Sequence, residues 1–371
     1  MNNSKIHNYL FAAGGTGGHI FPALSIAEEL KNMDKNCDFL FVGTKNKMEA
    51  KLIPQHGYKF TTIWISGISR KLDIKNLLVP LKLLVSLIQS FVTIIKFKPS
   101  VVIGTGGYVC APVLIVASLL NIKTVIHESN SYPGLVTRLL SGKVDKVFTA
   151  FDVTKQWLKN VSKVEKVGNP TRKALVGVSK KTGLEFFGLA EFKKTLLIIG
   201  GSLGSTSINN AILNSLEVFL KSNLQIIWQT GEKDFERIKI EVERIVPELR
   251  KFLWYGKFIE QMQYAYAAAD LVICRAGATT IAEITLLGKP AILVPYPYAT
   301  SDHQRINARA LQNAEAAIMI EDDQLIQEIE KTVLNLIQDT DRLKLMSEKS
   351  LKLSNPNAAE AIAKKIMELI S

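Results

Sequence analysis

Short apolar runs alternate with stretches of helical spacing along nearly the whole chain. Runs of strand-like composition predict strands at 9–13, 38–42, 59–63, 100–103, 124–127 and 146–149. A second series follows at 195–199, 225–229, 252–255, 271–274 and 291–294. Strand and helix alternate in the manner of βαβ units, which build parallel sheets. The expected fold class is therefore α/β, with two doubly wound parallel-sheet domains. Ligands in such sheets sit at the carboxyl ends of the strands. Val167-Gly-Asn-Pro170 reads as the hinge, because the residue before a proline is pushed out of helical conformation. The helical stretch 357–370 is expected to return to the first domain. The expected domains are 1–167 with 356–371, and 168–355.

One helical segment breaks the pattern. Residues 74–98 are apolar over a length that could cross a bilayer. Their polar residues are not scattered: Lys75, Lys82, Gln89 and Lys96 recur every seven positions, with Ser86, Ser90 and Thr93 close to the same line. Seven residues are nearly two helical turns, so these form one polar stripe. A spanning helix has no need of a stripe, and Pro80 and Lys82 near one end add cost. A crossing would also put the glycine turns before and after it on opposite sides of the bilayer. The expectation is a helix packed on the sheet, with surplus apolar surface in a membrane interface beside lysines. The alternative is a fully buried crossover helix.

Composition narrows the class. At 371 residues, with 47% hydrophobic and 22% charged residues, the chain suits two folded domains. Its five-residue apolar run near the start predicts no secretory leader. Cys37, Cys110 and Cys274 are widely spaced and odd in number, which argues against a disulfide framework or a cysteine zinc site. Residues 1–165 carry 20 Lys+Arg against 10 Asp+Glu, while the remainder carries 26 against 24. A basic front half suits an anionic partner, nucleic acid or membrane. Beside the apolar helix, the membrane is the expected partner and nucleic acid is not.

Candidate chemistry begins at Gly14-Gly-Thr-Gly-Gly-His-Ile-Phe-Pro22, which lies between a strand and a helix. Glycines let the backbone bend and approach a ligand, and the following helix N-terminus favours a phosphate. It is not a Walker loop, because Gly-Gly-His stands where Gly-Lys-Ser/Thr is needed. Nor is it the dinucleotide fingerprint, whose last glycine would fall at Ile20. Its own feature is His19, a titratable side chain at the anion site. Similar turns occupy 104–112 and 200–205. His127-Glu128-Ser129-Asn130 puts polar groups at a strand end, where a helix cap is the plain alternative. Glu283 lies one turn inside the helix after Arg275 and suits a ribose diol, though the helix dipole alone also favours it. Residues 298–307 form a polar cluster fit to read sugar hydroxyls or simply to start a helix. Asp339-Thr-Asp341 reads as a helix cap, so no metal site is expected. A departing diphosphate would rest on helix N-termini and backbone amides.

Together, 14–22, 104–112, 127–130, 168–172, 200–205, 274–283 and 302–307 resemble the MurG family in spelling, order and spacing. These are the peptidoglycan N-acetylglucosaminyltransferases of glycosyltransferase family 28. The resemblance implies a GT-B fold, two Rossmann-like domains facing a cleft. It implies inverting transfer of N-acetylglucosamine from UDP-GlcNAc to the C4 hydroxyl of N-acetylmuramic acid on undecaprenyl diphosphate (lipid I). No metal or other cofactor is implied, and the location is the cytoplasmic face of the inner membrane, peripherally bound. Carried over to this sequence, the donor residues are Thr16, Gly17, Gly18, Asn130, Arg172, Ser202, Ile259, Gln304 and the run Ala278, Thr279, Thr280, Ile281, Ala282 and Glu283. His19 matches the proposed general base. The acceptor diphosphate is expected at Gly14, Gly15, Gly106, Gly107, Tyr108 and Glu128. The chain departs from the family's common residues at Ser129, Leu203 and Ala276, where Gln, Gln and Ser are frequent. From the residues alone, other readings stay open: another UDP-sugar or a diacylglycerol acceptor, or a non-catalytic UDP-sugar and membrane-binding module.

Overall fold

In the computed structural model, residues 6–67, 78–201 and 203–371 are described. The chain divides into two compact units, Met1–Arg172 with Asn355–Ser371, and Lys173–Ser354. The first holds a seven-stranded sheet of β1 (His7–Ala13), β2 (Cys37–Gly43), β3 (Lys59–Thr62), β4 (Val101–Gly106), β5 (Lys123–Glu128), β6 (Lys146–Thr149) and β7 (Val164–Lys166). Their order is β3-β2-β1-β4-β5-β6-β7, and every pairing is parallel. The helices are α1 (Gly17–Met33), α2 (Met48–Gln55), α3 (Val79–Phe97), α4 (Cys110–Leu119) and α5 (Leu135–Leu140).

The second unit repeats the scheme with β8 (Lys194–Ile199), β9 (Leu224–Gln229), β10 (Leu253–Gly256), β11 (Leu271–Arg275), β12 (Ala291–Val294) and β13 (Ala317–Met319). These run β10-β9-β8-β11-β12-β13, again all parallel. Its helices are α6 (Lys180–Phe187), α7 (Thr206–Lys221), α8 (Phe235–Glu243), α9 (Pro247–Arg250), α10 (Met262–Ala268), α11 (Ala278–Leu286), α12 (His303–Asn313), α13 (Leu325–Gln338) and α14 (Thr340–Lys352). A last helix, α15 (Ala358–Ile370), belongs to the first unit. It buries Ile362, Ala363 and Ile366 in the same core as Tyr9, Phe11 and Ile103 of the central strands.

The strand pattern is the one that hydrophobic periodicity foretold, with two additions. Three-residue strands β7 and β13 close the sheets at one edge each. Three residues are too few to show an alternation. Both sheets reverse their winding once, between β1 and β4 and between β8 and β11. Such a reversal opens a crevice at the carboxyl ends of the two strands concerned. The glycine turns after β1, β4 and β8 lie at these reversals, as does the start of α11 after β11.

Helix α3 turns the serines of its polar stripe inward, while Lys82 and Gln89 are half-buried and Lys96 stays exposed. Ser86 and Ser90 are buried with Ile94. Ser86 Oγ donates to Leu83 O at 2.8 Å and Ser90 Oγ to Ser86 O at 2.7 Å, so both hydroxyls are satisfied within the helix. Leu81, Leu84, Ile88, Phe91, Val92 and Ile95 face outward, and Leu84 and Ile88 are each 57% exposed. The fully buried crossover helix is thereby set aside. Ile74 and Lys75, at the start of the expected stripe, lie outside the described residues.

Candidate active site

The first turn of the first unit is braced by a residue the sequence did not single out. Glu49, from the first turn of α2, is fully buried. Its Oε2 accepts from Gly15 N at 3.1 Å, and its Oε1 accepts from Thr44 N and Thr44 Oγ1 at 3.1 and 2.7 Å. A side chain on Gly14 would collide with that carboxylate. The only signal in sequence is an acidic residue shortly after a strand-ending Gly-Thr, which helix starts commonly carry. Thr16 stands before α1 in extended conformation and its side chain does not cap the helix.

His19 sits between the two glycine turns of this unit. Its Nδ1 lies 3.0 Å from Gly14 O, and its backbone carbonyl accepts from Thr105 Oγ1 at 2.8 Å. A carbonyl can only accept, so Nδ1 carries the hydrogen and a neutral ring presents its lone pair at Nε2. Gly106 and Gly107 have φ of 118° and 84°, where a side chain is strained. A Cβ on Gly106 would strike the His19 ring, and one on Gly107 would strike Gly14 O. The two turns thus meet backbone to backbone around the imidazole. Tyr108 follows them; burial and the Glu49 carboxylate push its pKa up, while its hydrogen bond to the Thr44 side chain opposes the shift. The Cys110 thiol is pushed up to about 12 by burial and lies 3.0 Å from Ala12 O, so it is no nucleophile.

At the end of β5, Glu128 is a clamp. Oε1 accepts from Asn130 N and Nδ2 at 3.0 and 3.1 Å, and Oε2 from Gly134 N and Thr137 Oγ1 at 2.9 and 2.8 Å. Both oxygens are engaged in orienting Asn130 and the turn after it. Ser129 Oγ donates to Asn169 Oδ1 at 3.0 Å. His127 is fully buried; its Nε2 donates to Gly168 O at 3.1 Å. Desolvation pulls its pKa down to about 4, against the bond to Gly168 and with a smaller push from nearby His19. Arg172 stacks its guanidinium 4.2 Å from the centre of the Phe21 ring, the same ring that packs against Gly17. Of the expected residues, this unit gathers Gly14, His19, Gly106 and Gly107 in direct contact, with Gly15 tied to Glu49 and both Gly17 and Arg172 packed on Phe21.

The second unit repeats the interlocked turns. Gly204 packs against Thr230 O and Gly231, a glycine after β9 that sequence reading missed. Gln229 ties two loops: Nε2 donates to Gly201 O and Oε1 accepts from Ile259 N, both at 2.9 Å. Ile259 therefore has its backbone amide engaged by the side chain at the end of β9. Ser202 lies outside the described residues, and Leu203 beside it is 79% exposed. Gly277 precedes α11 and has no side chain to cap the amides that follow. Glu283 is buried one turn in, its Oε2 accepting from Tyr266 OH at 3.0 Å. Gln304 Oε1 accepts from Tyr296 N at 3.0 Å, and Asn307 Nδ2 donates to Ala276 O at 3.2 Å. Arg275 fastens the whole edge: Nη1 reaches Pro295 O and Asp322 Oδ1 at 3.0 and 2.5 Å, and Nη2 reaches Ser207 Oγ at 2.7 Å.

Family models match both units. The description glycosyltransferase family 28 N-terminal domain fits residues 9–149, and glycosyltransferase family 28 C-terminal domain fits residues 195–366. The chain belongs to glycosyltransferase family 28. Among family 28 relatives, a Flavobacterium psychrophilum protein is 41% identical over 366 residues, covering 98% of each chain. One from Chlorobium luteolum is 44% identical over 367 residues, covering 98% of this chain and 99% of its own. Both carry the name UDP-N-acetylglucosamine--N-acetylmuramyl-(pentapeptide) pyrophosphoryl-undecaprenol N-acetylglucosamine transferase. The crystal structure of Acinetobacter baumannii MurG is 28% identical with a TM-score of 0.72, covering 98% of this chain and all of its own. The GT-B fold expected from the family 28 resemblance is the fold observed.

Proposed function

We infer that the chain transfers N-acetylglucosamine from UDP-GlcNAc to the C4 hydroxyl of N-acetylmuramic acid in lipid I, giving lipid II for peptidoglycan synthesis. The observation that carries this reading is the match to relatives of that name along 98% of both chains. His19 Nε2 takes the proton of the acceptor hydroxyl. The hydroxyl oxygen then bonds to the anomeric carbon from the face opposite the leaving group. The bond from that carbon to the β-phosphate oxygen breaks, and UDP departs with the electron pair. Glu283 takes the ribose hydroxyls, and the bond from Tyr266 holds its carboxylate for that task. The Ile259 carbonyl meets the uracil ring, the residues from Ala278 to Ala282 line the nucleoside, and Gln304 reads the sugar. Thr16, Gly17, Gly18, Asn130, Arg172 and Ser202 complete the donor contacts. Gly14, Gly15, Gly106, Gly107 and Tyr108 receive the acceptor diphosphate. Glu128 acts through Asn130, because both its oxygens are already bonded. The outward apolar face of α3 rests on an anionic membrane at its cytoplasmic face.

The test is turnover of a lipid I analogue with UDP-GlcNAc and with UDP-glucose. A β-linked disaccharide formed from UDP-GlcNAc in preference supports the reading. Preference for UDP-glucose, or UDP binding without turnover, overturns it.

A further inference from the structure

The peptide group between Gly14 and Gly15 is held at both ends. Its carbonyl, Gly14 O, accepts from His19 Nδ1 at 3.0 Å, and its amide, Gly15 N, donates to Glu49 Oε2 at 3.1 Å. A peptide group is planar, so a bond that fixes its N–H also fixes the direction of its C=O. Glycine on both sides would otherwise let this peptide turn over, and Gly15 has φ of 94°. Glycine is also what admits the carboxylate, because a Cβ on Gly14 would stand 2.7 Å from Glu49 Oε1. Glu49 is fully buried, and it accepts from Gly15 N, Thr44 N and Thr44 Oγ1. A set of donors aimed at both oxygens suits an ionised carboxylate. The cation that the inferred reaction creates is the His19 imidazolium, two hydrogen bonds away.

We propose that Glu49 is a positioning residue for the transfer, acting on His19 through the Gly14–Gly15 peptide. It holds the ring with hydrogen on Nδ1 and steadies the imidazolium formed during the reaction. Hydrogen bonds in a chain polarise one another where the dielectric is low. Donation from Gly15 N to a carboxylate therefore makes Gly14 O the stronger acceptor for Nδ1–H. A carboxylate bonded directly to a histidine orients and stabilises it in the same way, and here one peptide group stands between them. The proton taken from the acceptor hydroxyl stays on Nε2, the hydrogen on Nδ1 stays where it is, and Glu49 remains a carboxylate throughout. The proposal rests on His19 being the base, as inferred above.

Nitrogen NMR of the 15N-histidine-labelled protein reads the ring directly, at about pH 8.5, roughly two units above the ordinary imidazole pKa. The wild type is expected to show His19 with hydrogen on Nδ1 and a bare Nε2. His127, whose Nε2 donates to Gly168 O, is expected to show the reverse. The signals are assigned by their loss in His19→Gln and His127→Gln. In Glu49→Gln the side-chain oxygen goes to the two Thr44 donors, which leaves an NH2 group facing Gly15 N, donor against donor. The peptide is then released, and the hydrogen on His19 is expected to move predominantly to Nε2. With a lipid I analogue, kcat is expected to fall about 10²-fold, the lower end of what a general base contributes. The KM for UDP-GlcNAc should stay within about twofold, the split that marks an interaction made in the transition state. Glu49→Asp, one methylene shorter, cannot span Thr44 and Gly15 together and is expected to shift the ring and kcat in the same direction. Retained His127 signals report that each variant is folded. A wild-type His19 with hydrogen on Nε2, or an unmoved tautomer or kcat in a folded variant, overturns the proposal. So does failure of both variants to fold, which would make Glu49 a brace alone. If the wild type forms no disaccharide, the functional reading falls and this one with it, whereas a contrary ring spectrum with normal turnover removes only the role of Glu49.

Discussion

His19 is held by its backbone neighbours rather than by another charged side chain. Gly14 O fixes the tautomer, and Gly106 and Gly107 leave room for the ring. Replacing it by alanine is expected to lower kcat by about 10²–10⁴-fold, the usual worth of a general base. UDP-GlcNAc affinity, measured by calorimetry, should survive. An unchanged kcat would remove His19 from the chemistry. Its neighbour His127 has the opposite character. Burial holds its pKa at about 4, so it stays neutral in the folded unit while the unfolded chain protonates below about pH 6.5. Where the unfolded state binds more protons, stability falls with falling pH. The loss should amount to about 2 kcal/mol between pH 8 and 5. Urea unfolding at those two pH values checks this, and His127→Gln should flatten the difference. Asp34 does not confuse that window. Burial raises its pKa, but bonds from His7, Tyr9 and Asn36 N outweigh this and leave it lowered, so its contribution disappears only below about pH 4. At this scale the glycines and His19 were legible because their spacing is local. Glu49, Gln229 and Gly231 were not, since each acts on a loop from another strand or helix, and no local pattern marks such a bond.

Among the elements, α3 separates what patterning tells from what it leaves open. The seven-residue recurrence showed a polar stripe but not which way the stripe faces. Serines, whose hydroxyls bond back to their own helix, are small enough to let α4 approach, so the polar side is the packed one. The apolar side is left exposed, the surface for the membrane contact proposed above. Replacing Leu84 and Ile88 with glutamate is expected to release the protein from anionic vesicles, read by co-sedimentation. Because both side chains are exposed, unfolding stability should move by no more than about 0.5 kcal/mol. Full retention on the vesicles would refute the docking role of α3. The edge strands β7 and β13 were illegible for a simpler reason. Their register is set by pairing to β6 and β12, and three residues carry no period of their own.

At the scale of the molecule, both units obey the same rule. Each winds a parallel sheet outward from a central strand and places glycine turns where the winding reverses. That repetition is why fold class could be read from the alternation of runs. The excess positive charge of residues 1–165 falls in the unit that carries α3, which suits an anionic surface. The closing helix was also legible, as a helical stretch after the second domain. Its place in the first core has a consequence for the order of assembly. A chain is made from its N-terminus, and domains generally fold as units as they emerge. The second unit is continuous and has all its residues as soon as Ser354 has been made. The first unit, although begun earlier, lacks the side chains of Ile362 and Ile366 until the second unit has been made. The domain that begins first is therefore the one completed second, and the nascent chain holds the half that carries α3 unfinished until the second unit has been made.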